Sequence, residues 1–154
     1  MAEYARKRKG FTLVELLIVI IIVGILTSAM LLLMGSAEDK AEATAILSDM
    51  RSMKSAMVIF KLEKGRWPDL ASDETEIKKL FGGASLEGFD LVSSGDAYAY
   101  VLYDLTKNKG KSAGVKKKLA LMADSSGLLQ ENTSKPPATP QPYTGGTIVE
   151  MKVH

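Results

Sequence analysis

The feature that most constrains this chain is an uninterrupted apolar run. From Phe11 to Met34, 24 residues carry one charge, Glu15. At about 1.5 Å per residue such a run makes a helix of roughly 36 Å, enough to cross a hydrocarbon core of about 30 Å. Four cations, Arg6, Lys7, Arg8 and Lys9, sit just before it. Clustered positive charge beside an apolar span holds that end in the cytoplasm. The run therefore predicts a single-pass segment with its amino end inside and the bulk of the chain outside.

Glu15 breaks the pattern. An acid near the centre of a spanning helix costs about 2.5–3.5 kcal/mol on insertion scales, and less near an interface. Glu15 lies near the cytoplasmic end, so its cost is reduced but not removed. A carboxylate there wants a cationic partner, and the apolar run supplies none after Lys9. If the peptide bond after Gly10 were cut, Phe11 would carry a new α-amino group, which could meet Glu15 of another copy.

Lys9-Gly10-Phe11-Thr12-Leu13-Val14-Glu15, opening the apolar run, resembles the class III signal of type IV prepilins and type II secretion pseudopilins. The resemblance is most specific over Lys9 to Glu15 and extends more loosely to about Gly65. It implies cleavage between Gly10 and Phe11 by a prepilin peptidase and N-methylation of Phe11 by the same enzyme. It also implies that Glu15, with Thr12 in the same motif, serves subunit assembly by pairing with the Phe11 amine of a neighbour. The implied partners are that peptidase, other copies and minor subunits in a helical filament, an inner-membrane assembly platform, and lipid before assembly. The chain departs from many type IV pilins in having no cysteine, hence no C-terminal disulfide, and no proline within Met30–Met34. The first departure leans toward the major type II pseudopilins. The second moves any weak point of the helix to Gly24 and Gly35. Retained Glu15 argues against a tip-capping minor pseudopilin.

Two plainer readings compete for the same segment. An uncleaved signal anchor needs nothing from Gly10 or Glu15. An ordinary secretory signal could be cut after Ala37, where Gly35-Ser36-Ala37 supplies small residues, but such signals have apolar regions of about 7–15 residues and this one is longer.

At 154 residues, one globular domain beyond the helix is expected. The expected division is a leader over 1–10, a membrane or filament-core half-helix over 11–35, an amphipathic half-helix over 36–64 and a head over 65–154. The net charge is +2, of which residues 1–10 contribute +3 and the remainder −1. The basic character thus belongs to the leader, and nucleic acid is an improbable partner on charge grounds. Without cysteine the head must be held by its core alone.

From Ser36 to Lys64 there is neither proline nor glycine, and Ile46, Met50, Met53, Met57 and Phe60 recur at helical spacing. One helix from about Phe11 to Lys64 is predicted, apolar all round in its first half and amphipathic in its second. The Met and Phe stripe reads as core. Gly65 caps the helix, Pro68 prevents its resumption, and Trp67 is placed over the helix end. The Gly65-Arg66-Trp67-Pro68 turn resembles one that often follows the long helix in pseudopilins.

Asp73-Glu74-Thr75-Glu76 predicts a short helix capped by Asp73, with Ile77, Leu80 and Phe81 as its apolar face and Gly82-Gly83 stopping it. Phe89–Val92 predicts a short strand. Tyr98–Leu105 predicts a better one, with Tyr98, Tyr100 and Leu102 opposite Ala99, Val101 and Tyr103. Asn108-Lys109-Gly110 reads as a turn. Val115, Leu119 and Met122 argue a helix over 113–124, with Ser112 as N-cap and Gly127 closing it; a strand through Leu119–Met122 is the alternative. Lys116-Lys117-Lys118 reads as a solvated run. Residues 130–146, with Pro136, Pro137, Pro140 and Pro142, read as an extended loop. Thr147–Val153 predicts a terminal strand, antiparallel to Tyr98–Leu105.

No cysteine nucleophile exists, and the lone histidine is the terminal His154. Asp124 and Glu131 are too sparse for a calcium loop. No catalytic residue, metal or cofactor is assigned. The reading is an α+β, pilin-like fold: a long N-terminal helix packed on a small antiparallel sheet, serving as a structural subunit of a type IV pilus or related filament. A type II secretion or DNA-uptake pseudopilin is the alternative. A membrane-tethered extracytoplasmic binding domain that never polymerises is the reading of another class.

Overall fold

The computed structural model describes residues 11–107, 110, 112–132 and 140–154. The leader residues Arg6, Lys7, Arg8, Lys9 and Gly10, the turn residues Asn108 and Lys109, and Pro136 and Pro137 lie outside the described residues. The elements in chain order are α1 (Leu13–Lys64), α2 (Leu70–Leu80), β1 (Phe89–Ser94), β2 (Tyr98–Asp104), α3 (Ala113–Ser126), β3 (Leu128–Gln130) and β4 (Ile148–Lys152). The chain divides into two units, one up to Ala37 and one from Glu38.

From Leu13 onward the first unit is part of α1. That helix is long and apolar enough to cross a membrane, and its large apolar side chains from Leu13 to Leu31 are exposed within the chain. The α1 helix continues unbroken through Gly24 and Gly35. Two hydroxyls on this apolar stretch return to their own backbone: Thr27 Oγ1 donates to the Val23 carbonyl (2.8 Å) and Ser28 Oγ to the Gly24 carbonyl (2.9 Å). Lipid offers polar groups no partner, so internal satisfaction is what a spanning helix requires.

The second unit is a four-stranded antiparallel sheet in the order β1-β2-β4-β3, packed against the amphipathic part of α1. Ile46, Met50, Met53, Met57 and Phe60 are fully buried, so the predicted stripe is core. Each such side chain contributes about 1.5–3 kcal/mol on burial. From the sheet, β2 offers Ala99, Val101 and Tyr103, and β4 offers Val149 and Met151. The register sets Tyr103 opposite Val149 and Val101 opposite Met151, so side chains of one parity share the core face. The other parity of β2 is covered too: Tyr100 and Leu102 are buried. The tyrosines of β2 are therefore structural. Phe89 meets Tyr103 edge-on at 4.8 Å and Phe81 at 5.4 Å.

The α3 segment is helical, and the strand alternative does not hold. Ser112 Oγ accepts the Gly114 N–H (3.1 Å), and Gly127 closes the helix with φ 68°. Its buried face is Val115, Leu119 and Ala123, while Met122 is half-buried. The helix also ends two residues later than predicted. Its start is fastened to α1: Ser112 Oγ donates to Asp39 Oδ1 (2.9 Å), and the Gly110 N–H donates to Glu42 Oε1 (2.5 Å). Of the lysine run, Lys117 is exposed, but Lys116 and Lys118 are half-buried, so the run is not simply a solvated face.

Other boundaries depart from expectation as well; β2 stops at Asp104 and β4 spans Ile148–Lys152, each shorter than predicted. The N-cap of α2 is Asp69, not Asp73: with Pro68 before it, Asp69 is extended and its carboxylate accepts the Ala71 N–H (2.9 Å). Asp73 lies in the first turn and accepts the Asp69 N–H (3.0 Å). Strand β1 runs two residues past Val92, because Ser93 and Ser94 still pair with Ala99 and Tyr98. The stretch 130–146 is not all loop. Leu128–Gln130 pairs with β4, and Pro142 bridges to Leu129.

Gly65 caps α1 with φ 74°, its N–H reaching the Lys61 carbonyl (2.9 Å). Trp67 lies beside that last turn. Lys61 Nζ stands 5.6 Å from the indole centre, and the His154 ring is 6.0 Å away.

Candidate functional site

The residues that carry the sequence motif stand at the start of α1. Phe11 and Thr12 precede the helix, which begins at Leu13 rather than Phe11. Phe11 is exposed. The reason for the offset is local. Thr12 Oγ1 accepts the Glu15 N–H (3.2 Å), while Glu15 Oε2 accepts both the Thr12 N–H (2.9 Å) and the Thr12 hydroxyl (2.7 Å). This is a capping box, in which the residue before the helix and the third residue within it satisfy each other's backbone donors. The Leu16 N–H then closes the first helical turn on the Thr12 carbonyl (3.3 Å).

The arrangement changes the account of Glu15. Its carboxylate is not bare within its own chain, because Thr12 gives it two hydrogen bonds. It also lies at the helix end where the backbone dipole favours an anion. Both effects lower the cost of carrying an acid at the mouth of an apolar helix. The Thr12 hydrogen bonds engage Oε2, and Oε1 has no hydrogen bond among the described residues.

The resemblance implies an assembly role for Thr12. The structure gives it a physical role, and the signal was present as Thr-x-x-Glu immediately before an apolar run. Gly10 and the basic cluster lie outside the described residues. No group of three or more His, Asp or Glu side chains converges among the described residues, and Asp124 and Glu131 both lie exposed.

Residues 5–31 match the family model for the prokaryotic N-terminal methylation motif. The chain carries a prepilin-type signal. Around it, similarity extends to named relatives. The chain is 36% identical over 63 residues to the type II secretion system core protein G of Klebsiella michiganensis, covering 41% of this chain and 44% of that protein. To the core protein G of Klebsiella pneumoniae it is 32% identical over 82 residues, 53% and 56% of the two chains. To the type IV major pilin of Neisseria gonorrhoeae it is 36% identical over 77 residues, 46% and 47%. The chain spans about half the length of the curated relatives it matches. No solved structure matches at the same level of significance.

With the prepilin signal in place, the α+β architecture of a long apolar N-terminal helix and a small antiparallel sheet is that of a pilin-like fold.

Proposed function

We propose that this chain is a structural subunit of a type IV pilus or of a related secretion or DNA-uptake pseudopilus. In this reading a membrane prepilin peptidase removes residues 1–10 at Gly10–Phe11 and methylates the Phe11 amine. Arg6, Lys7, Arg8 and Lys9 hold the precursor's amino end in the cytoplasm, and the helix waits in the inner membrane. During assembly it leaves the lipid for the centre of a filament, helped by an inner-membrane platform. The chemistry is assembly, and no catalytic step is assigned.

The observation that carries the proposal is the Thr12–Glu15 capping box directly after the cleavage junction. An acid kept at the first turn of an otherwise uncharged spanning helix has a cost unless it is used. The amine that cleavage would create supplies the use: in this reading the Glu15 carboxylate of one copy, whose Oε1 has no hydrogen bond among the described residues, receives the Phe11 amine of the next. That pairing neutralises two charges together as both enter an apolar filament interior, where an unpaired charge is costly.

The test is Glu15→Val in a host with the peptidase. Processing proceeds as in the wild type, while the variant enters filaments poorly when mixed with wild-type copies. Normal filaments from Glu15→Val alone would remove the pairing from the account. Tolerance of the substitution, with a retained leader and a monomer in detergent, would favour the tethered binding domain.

A further inference from the structure

We infer that an apolar groove beside the second half of α1 receives the acidic face of a second copy of this chain; this rests on the filament reading above. In the unit from Glu38 onward, the exposed large apolar residues among the described residues are Val58, Ile59, Leu62 and Leu121. Three of these four lie together on α1. They form a second stripe, distinct from the buried Met and Phe stripe, at spacing that places them on one side of the helix. Val58 and Ile59 form a groove with Met151 and Val153 at the end of the C-terminal strand. Arg51, Lys54 and Lys152 stand around it, and no acid lines it.

A hollow elsewhere on the head has the opposite sign. Phe89, Leu102 and Ile148 form its apolar part, and Glu87, Asp90, Asp104 and Glu131 surround it with Lys107 as the single cation. The two surfaces share no residue. Among the described residues the ion pairs are Lys61–Asp96, Lys64–Glu76 and Arg66–Asp73, none of which uses a charge from either surface. Lys54 Nζ meets only the Lys152 carbonyl (2.9 Å), and one Asp104 oxygen is held by Thr106. Among the described residues each single chain therefore presents a groove lined by more cations than acids and a hollow lined by more acids than cations, each with an apolar floor. Complementary potentials of this kind steer partners together and set register.

The occupant is a second copy because the chain carries both halves. Since the halves are different patches, the contact is heterologous. Each bound copy still offers one free groove or hollow, so addition can continue, and in the filament reading it does so as an open helix rather than a closed ring. A self-complementary patch would stop at a two-fold dimer.

The geometry is tested with two surface variants of the full chain, expressed with the peptidase and counted as filaments. Arg51→Glu/Lys54→Glu makes the groove acidic. Glu87→Lys/Asp90→Lys makes the hollow cationic. Alone, each loses about tenfold or more of the wild-type filament yield, because like charges meet at every contact. Co-expressed, the two restore filaments, since each altered groove faces an altered hollow and each native groove a native one. Folding of each variant is checked in detergent by thermal unfolding, followed by Trp67 fluorescence. A second measurement uses single cysteines, which the natural chain lacks. Ser55→Cys and Glu131→Cys copies cross-link when co-expressed and not when expressed singly. Wild-type filaments with undiminished single variants, or a co-expression as poor as either variant alone, would overturn the contact and leave the filament reading standing. Absence of filaments from the wild type itself would overturn both.

Discussion

Replacing Asp73 with Asn tests the physical account of the head at one pair of side chains. Arg66 Nη1 and Nη2 each donate to one Asp73 oxygen at 2.7 Å, and the Asp69 N–H donates to the same carboxylate at 3.0 Å. The Arg66 hydrogen bonds, with the Asp69 N–H second, hold the Asp73 pKa down at about 2, against an ordinary 3.8. Taken in full, that difference corresponds to roughly 2.4 kcal/mol. Asp73 is only 9% exposed, but Arg66 is 56% exposed, so water screens the pair. A discounted contribution of about 1 kcal/mol is appropriate. The sign follows from linkage. A carboxylate whose folded pKa is depressed adds stability above its unfolded pKa, and loses it as pH falls through the folded one. The wild type should therefore exceed Asp73→Asn by about 1 kcal/mol at pH 7, or roughly 4 °C in Tm. The gap should narrow below pH 4 and close near pH 2. Thermal unfolding of the detergent-solubilised chain, read through Trp67, measures it. A gap that is absent at pH 7, or unchanged between pH 7 and pH 2, would refute the reasoning.

The core and the caps give further expectations. Met53 is fully buried, so Met53→Ala should cost about 2–5 kcal/mol in denaturant unfolding. Gly110 has φ 87° and a Cβ there would run into Leu105 Cδ2 and stand 3.1 Å from Ile46 Cδ1. Gly110→Ala should accordingly destabilise by about 1–3 kcal/mol, from backbone strain and overpacking together. Thr12→Ala should raise amide exchange over residues 13–16 in detergent, with about 1 kcal/mol of cap stability lost, while Thr12→Ser stays near the wild type.

Much of the fold was legible because its signals are periodic and local. The Met and Phe stripe from Ile46 to Phe60 announced the buried side of α1, and Ser112 with Gly127 marked both ends of α3. The terminal strand and its pairing with β2 followed from alternation. What escaped depended on contacts that are distant in sequence or on competing local chemistry. Leu128–Gln130 is too short to show alternation and becomes a strand only because β4 lies beside it. Asp73 looked like a cap because it is followed by acids, but Pro68 makes Asp69 the better one and frees Asp73 to meet Arg66. At the candidate site, Glu15 stood out as a lone charge. Its local partner, Thr12, carries no charge to mark it as a partner for an acid, although Thr-x-x-Glu spells a helix start.

The central claim is tested most directly by the N-terminus and intact mass of the protein extracted from membranes of a host with an active prepilin peptidase. The account predicts a chain that begins at Phe11 and carries the mass of one added methyl group. A chain beginning at Met1 or Ala2 would contradict it and point to a tethered domain. A chain beginning at Glu38 would contradict it equally, as the product of an ordinary secretory signal.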